Sequence, residues 1–295
     1  MVGPVCPQAR GDGRRRAPHR RLSYKLPSGA LAYARCRAPQ HEAMNATPSS
    51  LPAAGPSRPA TSRRPALSLL ASEPLRATLE AVRAAAAWRD APRAVGGGHT
   101  VVLFPGLGTD GRTLWPLRRH LARAGFRALD WGQGLNTGPR GDVQAWLDDL
   151  AERVAKRAAP ARELSLVGWS LGGFYARELA KRWPDRVQQV VTIGTPFSGS
   201  VDDTHVGWLF RLLSGQRAPV GADLRERLAE PPPVPTVSLY SRRDGVVAWQ
   251  ACRHARGWPL ARDIEVEASH LGMGWAPEVL DRVTRVLAGR REATR

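Results

Sequence analysis

The segment Gly168-Trp169-Ser170-Leu171-Gly172 has the residue types and spacing that present a serine hydroxyl as a nucleophile. An apolar run precedes this segment and a helical pattern follows it, so Ser170 is predicted on a sharp turn between a strand and a helix. Such a turn requires glycine at positions 168 and 172, because side chains there would collide with the neighbouring strand and helix. A glycine-rich turn without a catalytic role is the alternative interpretation.

The helix predicted after Ser170 adds an electrostatic element to this turn. The first backbone N–H groups of a helix have no partner within the helix. The N–H of Leu171 is therefore predicted to bind the negative charge that develops on a carbonyl oxygen under attack.

An acid and a histidine follow two later apolar runs, each of which is typical of a buried strand. These residues are Asp244 and His270, and with Ser170 they give the order serine, acid, histidine along the chain. In this order and in the motif around Ser170 the sequence resembles the α/β-hydrolase superfamily, in its serine esterase and lipase branch, over residues 67–295. The resemblance implies that Ser170 is the nucleophile, His270 the general base and Asp244 the acid that orients the histidine.

The resemblance also implies a second oxyanion donor in the loop after an early strand, at residues 104–110. Members of the family often have a His-Gly pair in this loop, whereas this sequence has Pro105 in place of the histidine. The donor is a backbone N–H, so the absence of the histidine need not remove it. Leu107 and Gly108 are the candidates, and we choose Leu107.

Aromatic residues are frequent near the segments expected around the site. Phe197 lies in a Thr-Pro-Phe turn that resembles the turn of lipase-like members after the strand that follows the nucleophile. An apolar acyl pocket would be lined by Trp169, Phe197, Trp208 and Trp249. Core or rim packing without a role in selectivity is an equally good interpretation of each. The loop 131–136 is predicted as a pocket wall or as a simple turn.

The remaining histidines carry weaker expectations. His99 and His120 are interpreted as surface residues, and His205 and His254 as weak alternatives to His270 that are better explained as polar surface residues. No His, Cys, Asp or Glu residues have the spacing of metal ligands, so neither a metal nor a cofactor is predicted.

Strand-length apolar runs alternate with helical patterns in residues 66–295, which we predict as one domain. Helices between successive strands imply parallel pairing with right-handed crossovers, so the prediction is a doubly wound, mostly parallel α/β sheet flanked by helices. Strands are predicted at 101–104, 126–131, 164–167, 187–193, 236–240 and 264–266, and helices at 114–124, 143–158, 171–182 and 277–287.

Two segments lie outside this alternation. The first is a helix with an apolar stripe from Leu67 to Val82, predicted to begin near a cap at Ser72 and to pack outside the main sheet. The second is an insertion at residues 196–235, in which a short helix around residues 206–213 is expected to act as a cap over the active site.

The excess positive charge of the chain is concentrated at its N-terminal end. Residues 1–65 carry 12 Arg and Lys against 2 acidic residues, within a net charge of +18 for the chain. A basic arm rich in proline buries too little apolar surface to order itself, so we predict disorder there. One hypothesis is that residues 1–43 come from a misassigned start and that Met44 begins the chain.

Composition and motifs together define the expected class of function. Sparse cysteines favour a reducing compartment, and neither a membrane span nor a signal peptide is found, so a cytoplasmic location is predicted. The expected activity is hydrolysis of small-molecule carboxylic esters through an acyl-enzyme. An acyltransferase or a thioesterase using the same residues is the alternative. A basic nucleic-acid or membrane-surface binder is disfavoured, because no motif for such binding accompanies the charge. The sequence gives no indication of the oligomeric state.

Overall fold

The computed structural model describes residues 64–86, 95–198, 222–255 and 257–289. Within these residues the chain forms six strands and six α-helices. In chain order they are α1 (Leu67–Ala86), β1 (Thr100–Phe104), α2 (Trp115–Arg123), β2 (Arg127–Asp130), α3 (Val143–Ala158), β3 (Leu164–Trp169), α4 (Leu171–Arg182), β4 (Val187–Ile193), α5 (Ala222–Ala229), β5 (Thr236–Tyr240), β6 (Ala261–Glu265) and α6 (Pro277–Leu287).

The six strands pair in parallel in the order β2-β1-β3-β4-β5-β6. From β1 the chain moves outward to β2, then returns past β1 and builds the rest of the sheet from β3 to β6. The strand order therefore reverses between β1 and β3, and open α/β sheets bind ligands outside the carboxyl ends of such a pair. The predicted doubly wound parallel architecture is confirmed.

Helices cover both faces of the sheet. The central strands β1 and β3 are buried along their whole length, which explains why their sequences are apolar runs rather than alternating patterns. Apolar side chains of α3 and α4 pack on one face, among them Leu147, Val154, Phe174 and Leu179. Those of α2 and α6 pack on the other face, among them Leu117, Leu121, Val279 and Val283.

Helix α1 differs from its prediction in the face that it buries. The expected apolar stripe is exposed, with Leu67 at 72%, Leu75 at 65% and Val82 at 63% of full exposure, whereas Glu73 is only 2% exposed. The prediction was wrong because this helix packs against backbone N–H groups of two loops, which need acceptors rather than apolar contacts. Ser72 lies inside the helix rather than at its cap.

Several predictions concern residues outside the described ranges. They include almost all of the basic arm, Met44, the helix around residues 206–213, His205 and Trp208. The domain boundary, the disordered arm and the cytoplasmic location stay predictions. None of the helices in the described residues is long and apolar enough to cross a membrane.

Candidate active site

The turn between β3 and α4 holds Ser170 in a strained backbone conformation. Ser170 has a φ of 53° and a ψ of −121°, and it is the one non-glycine residue with positive φ in the described parts of the chain. Such a conformation costs on the order of 1–3 kcal/mol and persists only where the surrounding structure enforces it. The two elements enforce it here, because the strand ends at Trp169 and the helix begins at Leu171.

The predicted turn glycines lie at two points of close backbone approach. A Cβ atom on Gly168 would collide with the backbone at the start of α4. One on Gly172 would collide with the backbone of Phe104 and Pro105, at the end of β1. Since α4 passes directly against the end of β1, the loop that follows β1 lies beside Ser170.

Three side chains meet at the carboxyl edge of the sheet. The Ser170 Oγ lies 3.1 Å from the Nε2 of His270, which is 100 residues away in sequence. The Nδ1 of the same ring lies 2.6 Å from the Oδ2 of Asp244. These side chains follow β3, β6 and β5 respectively, and the sheet brings them together because carboxyl ends of parallel strands share one edge.

The Asp244 carboxylate is held on both of its oxygens. Its Oδ1 accepts hydrogen bonds from the N–H groups of Val246 at 2.8 Å and Val247 at 2.7 Å. Its Oδ2 then faces the imidazole, whose Nδ1–H donates to it. This arrangement leaves a lone pair on the His270 Nε2, directed at the Ser170 hydroxyl.

The protonation of His270 is set by opposing effects. Burial by itself lowers the pKa of His270, but the charge of Asp244, the hydrogen bond to it and the charge of Glu73 together raise the pKa above its ordinary value. A raised pKa means that the His270 imidazole holds a proton more strongly, which makes it a stronger base toward a hydroxyl group. Sequence reasoning missed Glu73, which is 197 residues from His270 and lies in no motif.

The loop after β1 contains both candidates for the second oxyanion donor. The N–H of Gly108 donates to the carbonyl of Asn136 at 2.8 Å, so this group is already engaged. A Cβ atom on Gly106 would lie 3.4 Å from the Cβ of Ser170, which places the backbone just before Leu107 beside the serine. These observations favour Leu107 over Gly108.

Asn136 fixes this loop and was not predicted individually, although the loop 131–136 was predicted as a pocket wall. Its side chain is fully buried, and its Nδ2 donates to the carbonyl of Pro105 at 2.8 Å. Its Oδ1 accepts from the Tyr175 hydroxyl at 3.1 Å and from the N–H of Gly138 at 3.1 Å. Asn136 thus connects the loop after β2 to the loop after β1, across the end of the sheet.

The predicted pocket aromatics have different surroundings. Trp169 is buried, and its Nε1 donates to the carbonyl of His270 at 3.1 Å. Phe197 is also buried and lies against the guanidinium of Arg177, 3.9 Å from its ring centre. Trp249 is half-buried and stacks on Tyr240. For Trp169 and Phe197 the contacts support the interpretation of core packing.

Two of the other histidines also contact polar side chains. The His99 Nε2 lies 2.8 Å from the Ser165 Oγ. The His254 Nδ1 lies 2.7 Å from an Asp263 oxygen with its side chain only 3% exposed, so the predicted surface role of His254 was wrong. Its ring packs against Phe197, with the ring centres 4.5 Å apart. In the described ranges no three His, Cys, Asp or Glu side chains are grouped as a metal site would require.

Comparison with known proteins agrees with this architecture. A family model described as alpha/beta hydrolase fold matches residues 99–230, from the start of β1 to the end of α5. The lipase B of Aspergillus fumigatus has a similar fold, with a TM-score of 0.50 and 17% identity over 68% of this chain and 57% of that one. The chain therefore has the alpha/beta hydrolase fold, and esterases and lipases are among the proteins that it resembles.

In sequence the chain is similar to bacterial esterases. It is 33% identical to the pimeloyl-(acyl-carrier protein) methyl ester esterase of a Shewanella species over 34% of this chain. The matched segment covers 36% of that relative, so the chain spans about a third of the relative's length. It is 27% identical to the enzyme of the same name from Aeromonas hydrophila, over 62% of this chain and 70% of that protein.

Proposed function

We propose that this protein hydrolyses carboxylic esters through a covalent acyl-enzyme, with Ser170 as nucleophile, His270 as general base and Asp244 as the residue that orients the base. The observation that carries the proposal is the 3.1 Å contact between the Ser170 Oγ and the His270 Nε2, made by a serine with a φ of 53°. Similarity to methyl ester esterases supports an ester as the substrate.

The first half-reaction forms the acyl-enzyme. The Nε2 of His270 takes the hydroxyl proton as the Ser170 Oγ attacks the carbonyl carbon of the ester. The resulting oxyanion accepts hydrogen bonds from the N–H groups of Leu171 and Leu107, and each such donor contributes roughly 10²-fold to the rate in comparable enzymes. Collapse of the tetrahedral intermediate expels the alkoxide, which takes the proton from His270 and leaves as the alcohol.

The second half-reaction releases the acid and restores the serine. His270 takes a proton from a water molecule, whose oxygen attacks the acyl carbon. The oxyanion forms again between the same two N–H groups. Collapse breaks the bond to the Ser170 Oγ, which recovers its proton from His270.

Labelling with a fluorophosphonate tests this proposal directly. We expect the phosphonyl group to bond to the Ser170 Oγ with loss of fluoride, and to block turnover of nitrophenyl esters in proportion to the label incorporated. Mass spectrometry of the digested protein locates the label. Complete inactivation without a label on Ser170, or ester turnover by protein that resists the reagent, would contradict the proposal.

The same esters, offered with an alcohol or a thiol acceptor, separate hydrolysis from acyl transfer. Release of the free acid as the main product at millimolar acceptor supports a hydrolase. Predominant transfer to the acceptor would instead identify an acyltransferase that uses the same residues.

Asn136→Ala is expected to weaken both stability and turnover. The change removes the acceptor for two donors and the donor for the Pro105 carbonyl, so we expect a loss of about 3 kcal/mol in the free energy of unfolding. Displacement of the loop that carries Leu107 is expected to lower kcat about 10-fold. Urea unfolding and nitrophenyl ester kinetics measure the two effects.

Gln133→Ala is the matched control for this substitution. Gln133 lies in the same loop, is half-buried and makes one long contact of 3.3 Å to the carbonyl of Trp131. We expect a change below about 0.5 kcal/mol and unaltered kcat. If Asn136→Ala behaves like this control, Asn136 does not support the oxyanion loop.

A further inference from the structure

Glu73 of helix α1 contacts both loops that carry the proposed acid and base. Its side chain is 2% exposed. The Oε1 accepts hydrogen bonds from the N–H of Gly245 at 2.7 Å and from the N–H of His270 at 3.0 Å. The Oε2 accepts from the N–H of Leu271 at 2.9 Å. A single carboxylate therefore connects the residue after Asp244 to the histidine itself.

The rest of α1 reinforces this contact. Arg76 donates to Glu73 at 2.8 Å and also to the carbonyl of Arg243, on the other side of Asp244. Glu80 accepts from the N–H and the hydroxyl of Ser269, at 2.8 and 2.6 Å. Every residue that flanks Asp244 or His270 in the chain is thus hydrogen-bonded to this helix.

Helix α1 also packs so closely on the two loops that a side chain would not fit at either of two loop glycines. A Cβ atom on Gly245 would collide with the backbone of Leu69 and Leu70. One on Gly272 would collide with the Glu80 carboxylate. Because α1 precedes residue 99, where the match to the family model begins, it is an addition to the part of the chain that the family model covers.

We infer that Glu73 is a positioning residue for the reaction: its buried carboxylate fixes the Asp244 loop against the His270 loop and places a negative charge beside the imidazole. This inference rests on the proposed function of Ser170, His270 and Asp244. Two physical consequences follow. The acid and the base keep a fixed separation through the catalytic cycle, and the imidazolium that forms during attack is stabilised by a second anion.

The charges that surround His270 come from two elements. Asp244 faces it from the loop after β5, and Glu73, Glu80 and Arg76 face its loop from α1. Cys252, near Asp244, is neutral because burial and the charges of Asp244 and Asp263 raise its pKa well above the ordinary value. Removal of the Glu73 charge alone is therefore expected to lower the pKa of His270.

Glu73→Gln in the full-length chain tests the inference, with the rate of fluorophosphonate labelling measured against pH. Labelling requires neutral His270, so the rate rises with pH through the pKa of that residue. We expect the plateau rate and kcat for nitrophenyl esters to fall 10- to 100-fold, with KM changed less than about 2-fold, because the NH₂ group of the amide cannot accept from the N–H of Leu271 and repels the His270 loop. We also expect the midpoint of the labelling curve to move to lower pH.

Two further variants separate positioning from folding. Glu73→Ala is expected to lose more plateau rate than Glu73→Gln, because it also removes the remaining acceptor. Glu178→Gln changes a shielded carboxylate on α4 that pairs with Lys181, and it is expected to leave both the plateau and the midpoint unchanged. Circular dichroism and the melting temperature establish that each protein is folded.

The outcomes distinguish this inference from the proposed function. A folded Glu73→Gln protein with the plateau rate and midpoint of the wild type overturns the positioning role alone. The positioning role is also overturned if the plateau rate of labelling falls only in proportion to the fraction of unfolded protein and the midpoint pH of the labelling curve is unchanged. The proposed function fails independently if Ser170→Ala retains ester turnover.

Discussion

Ser170→Ala is expected to lower kcat/KM for nitrophenyl esters by on the order of 10⁴- to 10⁶-fold. The substitution removes the oxygen that forms the acyl-enzyme, while the oxyanion donors and the imidazole stay in place. Binding should therefore survive, and the loss should fall on kcat. Steady-state kinetics and a pre-steady-state burst measure the effect, and the burst should disappear.

The strained turn makes a second observation possible in the same variant. Alanine adopts a φ of 53° no more easily than serine, so the backbone strain remains and stability is expected to change by less than about 1 kcal/mol. A variant that is folded, unlabelled by fluorophosphonate and inactive isolates the chemical role of the hydroxyl. Retention of more than a few per cent of wild-type activity would refute the nucleophile assignment.

Ser165→Ala provides the matched control. Ser165 is also a buried serine of the β3 segment in contact with a histidine, since its Oγ lies 2.8 Å from the His99 Nε2. It lies inside the strand rather than at the turn after it. We expect kcat within about 2-fold of the wild type.

Asp244→Asn is expected to lower kcat by about 10⁴-fold, the loss seen when a triad acid becomes an amide. In this chain the reason follows from the hydrogen bonds. The oxygen of the amide is expected to stay with the N–H groups of Val246 and Val247, so the NH₂ group faces the His270 Nδ1. Nδ1 must then accept, the proton moves to Nε2, and the base has no lone pair for the serine hydroxyl.

The dependence on pH provides an independent check of this argument. Loss of the Asp244 charge is expected to lower the pKa of His270, because that charge and hydrogen bond are causes of its raised value. The acidic limb of the rate profile should therefore move to lower pH while the plateau falls. An unshifted limb would contradict the assigned contact.

Asp263→Asn is the matched control for the acid. Asp263 makes the same type of contact, 2.7 Å from the Nδ1 of buried His254, but on the edge strand β6. It is expected to reduce the melting temperature and to leave kcat nearly unchanged, because His254 contacts Arg177 rather than a nucleophile. Equal losses of kcat in the two variants would mean that Asp244 acts through stability alone.

The predicted bounds were accurate for several helices and strands and inaccurate for the edge strand β6. Helices α3, α4 and α6 and strands β4 and β5 have the predicted bounds, since each combines a periodic or continuous apolar pattern with a clear end. Strand β6 was predicted at 264–266, whereas it extends over Ala261–Glu265, so the predicted start was three residues late. Its residues are exposed or half-buried, so its first half carries no apolar signal.

The candidate site was partly readable from local signals. A serine between two glycines requires a strained turn, and an acid and a histidine placed after strands point to one sheet edge. These features are local in sequence, and the structure brings their side chains within hydrogen-bond distance. Asn136 and Glu73 could not be found this way, because the residue type does not indicate whether an amide or a carboxylate is buried or exposed.

The amino-acid order therefore determined the parallel sheet, the turn at Ser170 and the candidates for the acid and the histidine, because periodicity, glycine placement and chain order can be read from the sequence directly. Tertiary structure alone decided which face of α1 is buried and that Glu73 meets Gly245, 172 residues away. The physical reason is the demand of buried backbone N–H groups for acceptors. That demand arises only when the loops are packed, and it outweighed the apolar pattern that would otherwise have turned Leu75 inward.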